Sequence, residues 1–251
     1  DQGYLLDQHP VITQNCNYVK PAAGQPCLLS FDDVVTLFHE FGHALHGMLS
    51  RQKYPLFAGT ATATDFVEFP SQINEALATD PTVLAHYAKH YKTGEVMPAE
   101  LIAKMKNARR FNQGYETVRY TASAMVDMAV HARTESEAPA DLGAFEADLL
   151  QRQGLPHGVG INHRLVHFQH LFSGSGYAAG YYSYMWSEVM DADAFAAFEE
   201  AGNVFDPKVA GKLKEFIYSA GNCRDPHDAY IAFRGRPPKI DGLLKKRGLA
   251  A

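Results

Sequence analysis

His39-Glu40-Phe41-Gly42-His43 places two imidazoles four residues apart, with a carboxylate beside the first. On a helix, side chains at i and i+4 leave the same face one turn apart, so both imidazoles can grip one ion. Glu40 is offset by about 100° around the axis, close to that ion but free to act on a water bound to it. Zinc suits such a pair, and the chemistry predicted is hydrolysis by an activated water.

Two histidines do not complete a catalytic site, so a third protein ligand must come from elsewhere. A third histidine in the metzincin pattern would need Gly and His at positions that hold His46 and Leu49. A carboxylate on a following helix is the other common solution. Glu68 lies 25 residues past His43 and is the candidate. Glu75, seven residues further, falls on nearly the same helical face. It is either a surface acid or the acceptor that fixes the tautomer of a zinc-bound imidazole. A purely structural zinc would instead need a fourth protein ligand, and His46 is the spare.

A second cluster runs from His170 through Gly174-Ser175-Gly176 to Tyr177, Tyr181 and Tyr184. A phosphate loop is a weak reading, because no strand precedes the glycines and no Lys-Ser/Thr follows. The three tyrosines fall at i, i+4 and i+7, one helical face. Alone they read as core aromatics; beside a zinc site, neutral O–H donors can meet the negative charge that amide hydrolysis builds on a carbonyl oxygen.

The elements that must carry these residues are mostly helical. Ser30 and Asp33 have capping-box form, and Val34, Leu37, Phe38, Phe41, Leu45 and Met48 then repeat at helical spacing, predicting a buried apolar side for the motif helix. Val11–Val19 and Cys27–Ser30 read as short strands, and Leu56–Thr64 as an edge strand or extended loop. A helix is expected from about Asp65 to Tyr91, with others over 98–111, 115–134, 141–152, 165–172, 178–200, 207–220, 225–233 and 240–247. The fold class is therefore mainly α, with a few short β-strands near the N-terminal third and no linker or repeat.

Composition narrows the function classes. The 251 residues carry 23 Lys+Arg against 28 Asp+Glu, a formal charge of −5. That acid surplus argues against nucleic acid as the main partner. No apolar stretch reaches the ~18 residues of a membrane span, so a membrane is not expected as a partner either. Cys16, Cys27 and Cys223 form no C-x-x-C pair and read as reduced, partly buried thiols. The chain opens without an initiator Met or a signal segment. It is read as a fragment of a longer, cytoplasmic protein, with the periplasm as the alternative.

HEFGHALHG, DFVEFPSQINE and HLFSGSGYAAGYYSYMW together resemble the thimet-oligopeptidase family of zinc peptidases. The Phe in VEFPSQINE and the closing RGRPPKIDGLLKKRGL are similar to its peptidyl-dipeptidase Dcp branch. The resemblance spans about Val11 to Leu249. It departs at the turn over 173–176, one residue longer than in that branch. It implies a gluzincin-type helical catalytic lobe over 1–251, with His39, His43 and Glu68 as ligands of one zinc and Glu40 as general base. His170, Tyr177 and Tyr184 fall on its transition-state and substrate-binding positions, and Tyr181 also matches. Short peptides are the implied substrates, with C-terminal dipeptides released. Endo-cleavage is the alternative, as is a zinc- and peptide-binding piece inactive without an N-terminal lobe that forms the other channel wall.

Overall fold

A computed structural model describes residue 5 and residues 7–250. Twelve α-helices occur among them: α1 Phe31–Leu49, α2 Thr64–Val67, α3 Phe69–Ala78, α4 Pro81–Tyr87, α5 Ala99–Ala108, α6 Gln113–His131, α7 Leu142–Arg152, α8 Gln169–Phe172, α9 Ser183–Glu200, α10 Pro207–Leu213, α11 Pro226–Arg234 and α12 Asp241–Arg247. None of the described helices is long and apolar enough to cross a membrane. The mainly α expectation holds.

The short strands do not form. The one pairing with named partners among the described residues is an isolated antiparallel bridge between Lys89 and Val96. Residues 11–19 lie along α1 without regular structure and, among the described residues, have no second strand to pair with. Gln14 Nε2 donates to the Leu37 carbonyl at 3.3 Å, and the Tyr18 hydroxyl to the Asp33 carbonyl at 3.2 Å. The 56–64 segment opens in a single 3₁₀ turn, Pro55–Phe57, and is tied down by separate bonds, Gly59 N–H to Ser50 Oγ and Asn222 N–H to the Phe57 carbonyl. Alternation of apolar residues marks an extended chain; only a partner edge makes it a strand.

The helix expected over 65–91 is three helices. Pro70 lacks an N–H and sits in the first turn of α3, which breaks the chain at Glu68. Asp80 then caps α4, accepting from Thr82 N–H at 2.8 Å and Val83 N–H at 3.2 Å ahead of Pro81. The break at Glu68 matters: it turns that side chain inward at a helix junction.

Two large clusters and a small one, Val189, Ala192 and Leu243 between α9 and α12, form the core. One large cluster joins α2 and α3 to the C-terminal helices through Phe66, Phe69, Ile73, Phe198, Ile217 and Tyr230. The other sets α6 against the 161–181 segment through Val126, Leu165, Phe168, Leu171 and Tyr181. Between them runs α9, which buries two carboxylates, Asp191 and Asp193. Buried charges need partners, and the C-terminal tail brings them. Lys246 Nζ lies 2.9 Å from Asp191, and Arg236 Nη2 lies 2.7 Å from Asp193. The basic run 234–247 is thus the counter-charge of the central helix. Cys16 is half-buried, whereas Cys27 and Cys223 are exposed, so the expected burial of the thiols fails for two of the three.

A candidate metal centre

The capping box at the start of α1 is formed in both directions: Asp33 N–H donates to Ser30 Oγ at 3.1 Å, and Ser30 N–H to Asp33 Oδ2 at 2.8 Å. From that start the helix carries His39 and His43 to its middle, on the side facing α3. The predicted apolar side is buried only in part: Val34, Phe38 and Leu45 are half-buried, and Leu45 packs on the core. Leu37, Phe41 and Met48 stay exposed, while Gly42, Ala44 and His46 are buried. Close helix approach selects small residues there. A Cβ on Gly42 would stand 2.6 Å from Ser71 Cα and 2.8 Å from the Pro70 carbonyl, contacts that real side chains do not make. The glycine is what lets α3 lie against the motif.

That approach delivers Glu68. Its Oε2 lies 3.2 Å from His39 Nε2 and 3.2 Å from His43 Nε2, and the three residues' donor atoms all fall within 4.8 Å of one another. Two ligands at 2.0–2.1 Å from one tetrahedral ion stand about 3.3 Å apart, so this spacing and the N/N/O donor chemistry fit zinc. Glu68 is only 3% exposed and is further held by the Tyr177 hydroxyl, which donates to Oε1 at 3.0 Å, and by Ser71 Oγ. Glu75 Oε1 lies 2.8 Å from His39 Nδ1, so the acceptor role considered for Glu75 is geometrically met and Nε2 is left to face the site.

The carboxylates that would draw a cation into this site also draw in a proton, which must leave before His39 can act as a ligand. Burial opposes a charge on His39, but its hydrogen bonds to Glu68 and Glu75 outweigh that and lift the imidazole to about 10. Burial likewise works against the Glu68 anion, yet the two histidines hold its carboxyl well below the usual carboxylate range. Glu40 is half-buried and makes no hydrogen bond or ion pair among the described residues. It is a carboxylate one position from a ligand candidate and committed to nothing else.

The tyrosines do not share one helical face. The turn over 177–182 is closed by Gly180 N–H to the Tyr177 carbonyl at 2.9 Å, and α9 starts only at Ser183. Tyr177 and Tyr184 nonetheless stack, ring centroids 5.7 Å apart and 5° between planes. Tyr181 is buried and turns towards Phe168 and Tyr120 instead. Burial, above all, raises both the Tyr177 and the Tyr184 hydroxyls, so both stay protonated donors at neutral pH. His170 is exposed and meets the edge of Tyr177, centroids 6.0 Å apart, while stacking on His163. His39, His43, Glu68, Glu75 and Tyr177 therefore converge; Tyr184 stands behind Tyr177, and His170 at its rim.

His46 does not join the ligands. It is fully buried, its ring lies edge-on to Tyr218, and neither ring nitrogen has a hydrogen-bond partner. Burial, with a smaller push from His43, holds its imidazole down to about 4. The folded-state value lies below the unfolded one near 6.5, so the stabilisation is complete above pH 6.5 and is lost as pH falls towards 4. Urea unfolding across that window should show about 3 kcal/mol lost to this group. A His46→Leu variant should show a correspondingly flatter profile, and an unchanged slope would refute the assignment.

The family model for peptidase family M3 matches residues 4–249. The chain belongs to peptidase family M3. Dipeptidyl carboxypeptidase of Escherichia coli (strain K12) is 47% identical over 251 residues, covering 99% of this chain and 36% of the relative. Oligopeptidase A of the same organism is 37% identical over 243 residues, 96% of this chain and 35% of the relative. Organellar oligopeptidase A of Arabidopsis thaliana is 38% identical over 246 residues, 96% and 31%. The chain thus spans about a third of the length of these relatives. M3 peptidases are metallopeptidases, and two groups among the described residues could hold a metal: His39, His43 and Glu68, which are partly or fully buried, and Asp225, His227 and Asp228, which are exposed.

Proposed function

We propose that this chain is the zinc-bearing lobe of a peptidase that releases C-terminal dipeptides from short peptides. The observation that carries the proposal is the convergence of His39, His43 and Glu68 beside an uncommitted Glu40. When bound, zinc would supply Lewis-acid polarisation of the scissile carbonyl and a water acidic enough to react near neutral pH. His39, His43 and Glu68 would hold the ion, and Glu75 would fix the His39 tautomer. Glu40 accepts a proton as the water oxygen bonds to the carbonyl carbon, then returns it to the amine nitrogen as the C–N bond breaks. Tyr177, kept neutral by its environment, donates to the carbonyl oxygen as that oxygen turns negative, with Tyr184 and His170 beside it.

Dipeptide release is favoured because the relative at 47% identity is named a dipeptidyl carboxypeptidase. Relatives at 37–38% are named oligopeptidases, which supports endo-cleavage as the second reading. The relatives' greater length supports a further lobe as partner, and exposed Leu37, Phe41 and Met48 on α1 offer it an apolar face. Tyr177→Phe should lower kcat by roughly 10²–10³ through loss of one oxyanion donor; an unchanged kcat would return Tyr177 to a packing role.

The reading is tested by incubating a free-carboxyl peptide with the zinc-loaded chain, with and without chelator, and weighing the products. Stepwise loss of C-terminal dipeptides that the chelator blocks is the expected result. Internal cuts would select the endo reading. An untouched peptide would make this chain a metal-binding lobe that needs its partner.

A further inference from the structure

We propose that Asp127 is a positioning residue, whose buried carboxylate grips the backbone of the 177–182 turn and thereby sets Tyr177 against Glu68. Asp127 lies in the C-terminal third of α6 and is 1% exposed. Its Oδ1 accepts from Ala179 N–H at 2.9 Å and its Oδ2 from Tyr181 N–H at 2.8 Å, while His131 Nδ1 lies 2.7 Å from Oδ1. Both carboxylate oxygens are thus spent on one turn of chain 52 and 54 residues away. Charge-assisted bonds of this kind are strong and directional.

The turn needs such a grip. Ala179 has φ +56°, the left-handed region that an L side chain resists. Two turns before Asp127 on the same face of α6, the Tyr120 hydroxyl donates to the Tyr181 carbonyl. Helix α6 therefore holds the turn at an N–H on either side of Gly180 and at a carbonyl. Four residues before Tyr181, Tyr177 reaches Glu68 Oε1; three residues after it, Tyr184 stacks on Tyr177. Strain held in place by a rigid neighbour is a means of presenting a side chain in one orientation.

The kinetic part of the test rests on the peptidase reading; the exchange part does not. In the zinc-loaded chain, Ala179 and Tyr181 amides should exchange with deuterium at least about 10²-fold more slowly than those of Ser175 and Gly176. Equal rates would overturn the proposal whatever any variant does. Asp127→Asn puts a donor where an N–H must be accepted. It should release protection over 177–182 while α1 and α3 amides and zinc content stay unchanged. Its kcat should fall by about 10², towards that of Tyr177→Phe, with KM little moved. Combined with Tyr177→Phe it should cost nothing further, because both act through one hydroxyl. Effects that multiply would overturn the positioning role. Adding Ala179→Gly to Asp127→Asn should recover about tenfold by lifting the left-handed penalty, and no recovery counts against the proposal. Should Asp127→Asn fail to fold, the exchange rates of the unsubstituted chain decide. A chain without measurable turnover is a metal-binding lobe that needs its partner, and those same rates still decide the grip.

Discussion

Glu40→Gln should abolish turnover and leave both the metal and the fold in place. The side chain is half-buried and makes no hydrogen bond or ion pair among the described residues, so an isosteric amide disturbs no packing and breaks no contact. It is also outside the donor group formed by His39, His43 and Glu68. What the substitution removes is a basic oxygen, and general-base catalysis contributes about 10²–10⁴-fold. Zinc content by elemental analysis and the thermal midpoint should match the unsubstituted chain. Loss of metal would make Glu40 a ligand, and retained turnover would end its role as base.

Glu68→Ala should strip the metal. This carboxylate is shared by both imidazoles at 3.2 Å and receives the Tyr177 hydroxyl, so its loss removes the proposed third ligand and orphans three groups together. Glu75→Gln provides the scale. It alters only the bond behind His39, and loss of such a supporting partner costs about 10–100-fold in affinity. Competition titration with a zinc chelator should rank Glu75→Gln between the unsubstituted chain and Glu68→Ala. Stoichiometric zinc retained by Glu68→Ala would move the third ligand to another residue.

What could be read before the fold was known follows from how local each signal is. His39, Glu40 and His43 announce themselves because five consecutive residues on one capped helix set their geometry. Glu68 and Glu75 were reachable through the demand for a third ligand and a supporting acceptor. The strands expected over 11–19 and 27–30 do not form, because extended sequence says nothing about whether a pairing edge exists. Pro70 and Pro81 did signal the breaks in the 65–91 helix, and apolar periodicity hid them. Asp127 carried no local mark: an acid in a helix, four residues before a histidine, whose partners are backbone amides far along the chain. Nor did periodicity foretell the turn at 177–182, where Ala179 adopts a conformation usually left to glycine.

Written as a search pattern, H-E-x-x-H treats its third and fourth positions as interchangeable. In this chain the fourth is Gly42, and a single added methyl would collide with the backbone of the helix that supplies the remaining donors. Anyone grafting the motif into a new scaffold would therefore have to transplant a notch along with it. The minimal portable unit is a pair of helices in register.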